Sequence, residues 1–282
     1  MKKTKFYIIL FFILSSNNFG QNYTLLSDIG DFDSANSFSI NQAGILYVTD
    51  TGKSEIIKLD TLGNILKKIG GFGWQESSFD YPSDIFGSTL NVYVADQNND
   101  RIQIFDKDLN FLSSIKGNNQ NSEHSFRYPS CVSVSDQGDL FILDSDNTRI
   151  LKYNLRGEYL LQIGGFDAGN YSLSNPIKFA LTQNGNILVI DNDHLVLFDQ
   201  FGNGISKTSL DFKPSNVNST FNGITLTDGK NVFYSDVFSE YQSNSFKIFT
   251  PDSEMIINDA IIFKSKLYIL TPSSIQIFLL TE

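Results

Sequence analysis

Tyr47-Val48-Thr49-Asp50 is a short apolar run closed by an aspartate, and the chain repeats it. It returns as Tyr93-Val94-Ala95-Asp96, Phe141-Ile142-Leu143-Asp144, Leu188-Val189-Ile190-Asp191, Phe233-Tyr234-Ser235-Asp236 and, degraded, Tyr268-Ile269-Leu270-Thr271. The closing positions lie 46, 48, 47, 45 and 35 residues apart. A period near that length, built of short strands, is the signature of a β-propeller blade.

The repeat around Phe141 shows the pattern within one period. Phe126-Arg127-Tyr128-Pro129 leads into a first strand, Cys131 to Val134, and Asp136-Gln137-Gly138-Asp139 turns the chain. Leu140 to Asp144, Arg149 to Tyr153 and Tyr159 to Ile163 are three further strands, separated by Asp146-Asn147-Thr148 and Leu155-Arg156-Gly157-Glu158. Alternating β-branched and aromatic residues, cut by Gly, Asn and Asp every eight to twelve positions, predict four antiparallel strands per repeat. Five repeats follow this order, with Asn222-Gly223 read as the lead into the first strand of the fifth.

The last repeat supplies only three strands, Ala260 to Phe263, Leu267 to Leu270 and Ile275 to Leu279. The missing fourth stands at the other end of the chain, where Tyr23 to Ile29 followed by Gly30 matches Tyr159 to Ile163 followed by Gly164 in type. The expectation is an all-β, six-bladed propeller of four-stranded blades, closed by an N-terminal strand that pairs with the last blade. Closure removes the open sheet edges that an unclosed array would present to other chains.

Ahead of that strand, Met1-Lys2-Lys3-Thr4-Lys5 precedes an apolar run from Phe6 to Leu14, then small and polar residues to Gly20. This is the charged, apolar, polar order of a secretory signal peptide. Nine apolar residues fall well short of the ~20 that span a bilayer as a helix. Residues 1–20 are therefore expected to be a signal peptide and 21–282 a single propeller domain, exported to a periplasm or secreted, monomeric, and not membrane-inserted after cleavage. No cysteine lies near Gly20 to carry a lipid anchor; Cys131 is the sole cysteine and cannot form an intramolecular disulfide. Within an apolar strand it reads as a buried, inert thiol. The net charge is −10, and −13 once Lys2, Lys3 and Lys5 are removed. An acidic surface lacks the electrostatic attraction to phosphate that nucleic-acid binding requires, so nucleic acid is not an expected partner.

These residues resemble the NHL-repeat family. Its repeat runs Phe-x-x-Pro, an apolar strand, Gly-x-Leu/Val-Tyr-Val-x-Asp, a polar turn, Arg-Ile-x-x-Phe/Tyr and a Gly-rich tail. Phe79 and Pro82, Tyr93 to Asp96, Arg101-Ile102 and Phe105 match it, as do Phe126 and Pro129, Phe141 to Asp144, Arg149-Ile150 and Tyr153. The resemblance implies a propeller and one of several activities: RNA-binding propellers with basic faces, sensor domains outside bacterial cells, and a zinc-dependent amidating lyase. The acidic balance speaks against the first. The last needs a set of metal-binding histidines, and this chain has only His124 and His194 against the three protein ligands usual for catalytic zinc.

The recurring Asp50, Asp96, Asp144, Asp191 and Asp236 are read as structural. An Asp that ends a strand can accept backbone N–H bonds of the following turn, and Asp96 with Arg101 and Asp144 with Arg149 can pair across the hairpin. Asp144 to Asn147 lacks the Gly and Glu of a calcium loop. Gly70-Gly71-Phe72-Gly73 precedes no helix and no Lys-Ser/Thr pair, so it is no phosphate loop.

Asymmetry between repeats is expected at the central channel. Aligning the repeats on the proline places Ser37, Asp84, Cys131, Lys178, Gly223 and Asp259 in one ring and Asn36, Ser83, Ser130, Ile177, Asn222 and Asn258 one step earlier. Asp84 and Asp259 with Asn222 or Asn258 are the candidate channel-mouth ligands for calcium or another divalent cation, with Lys178 counting against it. Six-bladed gluconolactonase-like propellers, which the chain resembles in architecture alone, imply this alternative: a metal-dependent hydrolase or lyase. The preferred reading is a non-catalytic propeller without cofactor, binding a protein, peptide or surface glycan on one rim. Trp74, Tyr81, His124, Arg127, Tyr128 and Tyr171, in loops ahead of the innermost strands, are the candidate binding residues, since aromatics and arginine are favoured anchors.

Overall fold

In a computed structural model, described for residues 23–117, 124–235, 246–251 and 254–280, the chain forms six four-stranded antiparallel sheets. Residues 1–20, expected to be a signal peptide, and Asp236 lie outside these residues. Each sheet is one blade, and its first strand lies innermost: Ala35–Ile40, Pro82–Gly87, Pro129–Val134, Pro176–Leu181, Asn216–Thr220 and Asp259–Phe263. Among the described residues the only helical pieces are two single 3-10 turns, Gln97–Asn99 and Gly169–Tyr171, and no helix is long and apolar enough to cross a membrane.

The ring closes as predicted. Tyr23–Ile29 runs antiparallel to Ile275–Leu280, with Ile29 opposite Ile275 and Leu25 opposite Phe278. The final sheet therefore takes one strand from the beginning of the described chain and three from its end.

Six apolar clusters hold the ring together, one between each neighbouring pair of blades. Phe38 and Val48 of blade one meet Tyr268 and Ile277 of blade six; Cys131 and Phe141 of blade three meet Phe179 and Val189 of blade four. Second strands are sandwiched on both faces, and Leu46–Asp50, Leu140–Asp144 and Ile187–Asp191 are buried at every residue. Fourth strands, at the circumference, alternate between half-buried and exposed residues, as in Gly204–Ser209. This is why the repeated phrase is apolar throughout rather than alternating: a strand covered on both sides has no polar face.

Blade five departs from the sequence reading. Its innermost strand is Asn216–Thr220, and Gly223–Thr227 is its second strand. Gly223 therefore leaves the channel ring, and Asn222 sits in the turn on the opposite face, where its Oδ1 accepts the N–H of Lys264 at 3.1 Å. Phe233 to Ser235, which the repeat predicts to be a second strand, belongs to the third, Val232–Ser235. The position that closes the second strand is Thr227, which lies opposite Asn216 as Asp144 lies opposite Pro129.

Candidate functional site

The closing aspartates are structural, but their partners differ from those expected. Their main-chain donors come from the loop that enters the same blade, 16 or 17 residues earlier, not from the following turn. Asp50 accepts the N–H groups of Asp33 and Ser34, both at 2.9 Å; Asp96 that of Asp80, at 2.8 Å; Asp191 those of Ser174 and Asn175, at 2.9 and 2.7 Å. The following turns contribute side chains instead, Asn99 to Asp96 and Asn147 to Asp144. The hairpin ion pairs form, Arg101 Nε to Asp96 at 2.7 Å and Arg149 Nε to Asp144 at 3.0 Å. Burial raises the pKa of Asp96, with Asn99, the Asp80 N–H and Arg101 pulling the other way.

In blade two this arrangement reaches outward and fixes a loop. The Arg101 guanidinium donates to the carbonyls of Trp74, Gln75 and Ser78 at 2.8–2.9 Å. Asn99 Nδ2 holds the Gly73 carbonyl, and Gln103 holds Ser77 and Ser78. The main chain from Gly73 to Ser78 is thus anchored while the Trp74 ring stands 72% exposed. Tyr81 and Tyr128, each preceding the proline of an innermost strand, have φ of 59° and 48°. A left-handed, non-glycine residue is strained, and such strain concentrates at functional sites. Both rings are exposed, and the Arg127 guanidinium lies 5.8 Å from the Tyr128 ring centre.

Four of the six candidate rim residues, Trp74, Tyr81, Arg127 and Tyr128, therefore face solvent. The other two are packed. His124 stacks on Tyr159 with ring centres 3.6 Å apart. Tyr171 lies against Gly204, where an added Cβ would fall 2.1 Å from the ring, and donates its hydroxyl to the Ile205 carbonyl at 3.3 Å. Sequence reasoning passed over Phe72 and Phe166, which are 74% and 94% exposed; their place beside glycines in connecting loops was the available signal.

At the axis, alternate blades meet through charge. Asp84 of blade two accepts from Lys178 Nζ of blade four and, at 2.6 Å, from Ser37 Oγ of blade one; its other oxygen takes the N–H of Val132 of blade three at 2.8 Å. Lys178 also reaches Ser37 Oγ at 3.3 Å. Burial works against the Lys178 ammonium, but the carboxylate of Asp84 outweighs it and holds the lysine above its ordinary pKa. Asp259 of blade six accepts from Ala260 N–H at 2.8 Å and from Asn218 Nδ2 of blade five. Burial pushes its pKa up to about 7, Lys178 pulling it down and Asp84 pushing it further up. Cys131 is buried beside this group, donates to the Phe179 carbonyl, and burial keeps its thiol protonated well above the usual range.

Lys178 partitions the channel. It is the one residue lining both a wide funnel of about 670 Å³ on the side of Phe221 and Asn222 and a narrower one of about 390 Å³ on the side of Tyr81 and Asn258. The proposed cation ligands do not converge. Asn258 lines the narrow funnel, Asn222 lines the wide one on the far side, and a lysine ammonium already sits on Asp84. No group of three or more His, Cys, Asp or Glu is placed to hold a metal among the described residues. The side chains present do not fit a hard divalent cation.

The family model of the NHL repeat matches residues 126–153, the third blade's entry, first, second and third strands. The chain is 31% identical over 145 residues to protein brain tumor of Drosophila melanogaster, covering 50% of this chain and 13% of that protein. It is 28% identical over 146 residues to the B-box type zinc finger protein ncl-1 of Caenorhabditis elegans, 50% of this chain and 17% of that one. The chain thus spans less than a fifth of the length of these relatives. Similar solved structures include a gluconolactonase from Xanthomonas campestris, with TM-score 0.67, 12% identity, and coverage of 92% of this chain and 89% of that one. Virginiamycin B lyase of Staphylococcus aureus in complex with quinupristin gives TM-score 0.65 at 10% identity, covering 92% and 100%. At such identity the likeness concerns the fold alone.

Proposed function

We propose that this six-bladed propeller, whose third blade matches the NHL repeat, is an exported recognition module that binds a protein, peptide or surface glycan on the face carrying Trp74, Tyr81 and Tyr128, without chemistry of its own. The observation that carries this reading is the anchored loop of blade two. Holding a backbone rigid while leaving its largest aromatic ring in water costs apolar exposure and contributes nothing to the core; it lowers the ordering cost of a binding surface. The two strained tyrosines and Arg127 extend the same surface. The charged group at the axis supports the non-catalytic part of the reading, since Lys178 and two neighbouring donors already occupy both oxygens of Asp84.

Trp74 is the only tryptophan of the chain, so its fluorescence reports on this surface directly. Peptide and glycan arrays probed with residues 21–282 should yield a ligand that shifts Trp74 emission. Trp74→Ala or Tyr81→Ala should weaken it at least thirtyfold, the scale of a binding hot spot of about 2 kcal/mol. Turnover of lactones or esters that disappears in Asp84→Ala would overturn the reading, as would a ligand indifferent to both rim variants. Export is tested separately: the protein recovered outside the cytoplasm should begin at Gln21.

A further inference from the structure

The narrow funnel opens on the same face, and its collar has a one-sided hydrogen-bonding character. The Asn36 amide nitrogen donates to the Ser83 carbonyl at 2.6 Å, that of Asn216 to the Asn258 carbonyl at 3.1 Å, and that of Asn258 to the Ala35 carbonyl at 2.6 Å. Each asparagine thus clamps the neighbouring blade with its donor end. Its acceptor end remains: among the described residues no group donates to Oδ1 of Asn36, Asn216 or Asn258. For Asn216 this has a cost, because the residue is 7% exposed and its Oδ1 is buried without a partner. A buried acceptor without a donor is unfavourable. Ser83 repeats the pattern, its hydroxyl given to the Pro129 carbonyl at 3.0 Å.

The charge beneath the collar favours neither sign. Lys178 is the only charged residue that lines the narrow funnel, and its ammonium is already matched by Asp84, so neither a cation nor an anion finds an uncompensated partner there. A ligand suited to this site is uncharged, rich in hydroxyl donors, and able to lay an apolar face on Tyr81 at the mouth. A volume of about 390 Å³ lies in the range of small-molecule sites.

We propose that the narrow funnel binds the terminal residue of a neutral saccharide, the asparagine collar accepting from its hydroxyls. This rests on the reading of that face as the recognition surface and names the ligand class for it. The test is an array carrying neutral, sialylated and sulfated glycans together with a peptide library, followed by calorimetric titration of the best hits into the protein and its variants. A neutral saccharide should bind saturably. Asn258→Ala should weaken it at least tenfold. Gln97 lines the funnel, and among the described residues its side chain makes no hydrogen bond; Gln97→Ala should weaken binding in a protein whose melting temperature is unchanged. Binding of anionic glycans alone would overturn the proposal. Peptide binding that is lost in Trp74→Ala but untouched by Asn258→Ala and Gln97→Ala would remove the saccharide and keep the rim. Failure of every probe would remove both.

Discussion

Blades two and five occupy equivalent places in the ring and solve the same local problem with different chemistry. In blade two the second strand ends in Asp96, opposite Arg101, and the pair gathers the incoming loop onto itself. In blade five the same positions hold Thr227 and Val232. There the loop is joined by Ser215, whose N–H and hydroxyl meet the Thr227 carbonyl and whose Oγ lies 3.0 Å from Thr227 Oγ1. Blade three, with Asp144 and Arg149, resembles blade two, and it is this blade that the NHL repeat pattern matches. The difference teaches that the blade requires a polar tie between entry loop and second strand, and that an ion pair is one way of making it. Only the ion-paired form leaves charge to spare, and blade two spends it on the Trp74 loop.

Three sets of variants would break or sharpen that contrast. The largest effect belongs to Asp96→Ala. It strands the buried Arg101 guanidinium and releases Asp80, Asn99 and Gln103, so a loss of about 3–5 kcal/mol in denaturant unfolding is expected. Mobility of the 71–81 loop should rise with it, read from Trp74 anisotropy. A loss below ~1 kcal/mol would show that the tie is not electrostatic.

The axis comes next, where blade four supplies the cation and blade five only the Asn218 amide. Lys178→Met removes the charge that matches Asp84 and should destabilise by a similar few kcal/mol. Lys178→Met with Asp84→Leu should recover most of that loss, because the desolvation cost of both charges goes with them. If the double variant is no better than the single one, the pair is not acting as a unit. Asp259 gives this group a pH signature. Its folded pKa of about 7 lies above the ~3.9 of an unfolded aspartate. The folded state therefore holds the extra proton between those values, and stability contributed by this group is present at low pH and lost as pH rises from about 4 towards 7. Asp259→Asn should flatten that slope. An unchanged slope in thermal melts at pH 5 and pH 8 would assign the titration elsewhere.

Thr227→Ala in blade five should have the smallest effect, about 1 kcal/mol, the net worth of one neutral hydrogen bond. A loss equal to that of Asp96→Ala would erase the distinction between the two blades.

Much of this architecture was legible in the chain alone because it is periodic. A strand covered on both faces must be apolar throughout, and its recurrence at 46 to 48 residues in the first four blades counts the sheets directly. The three-stranded last repeat and the matching segment at Tyr23 identified the closure. Blade five was misread for the same reason: Gly223-Ile224-Thr225-Leu226-Thr227 lacks both the aromatic and the closing Asp, while Phe233-Tyr234-Ser235-Asp236 imitates them. The ring positions of Asp84, Lys178 and Asp259 followed from alignment of repeats, but their partnership did not.

The sequence by itself determined the number of blades, the strand that shuts the ring and the burial of Cys131, since each depends on local composition or on a repeat. Only the tertiary structure decided that Lys178 answers Asp84 from 94 residues away, that His124 and Tyr171 fill gaps, and that Trp74 stands free on a fixed loop. Pairing across the axis joins residues from blades that are not neighbours in the chain, and charge compensation of that kind leaves no period to read.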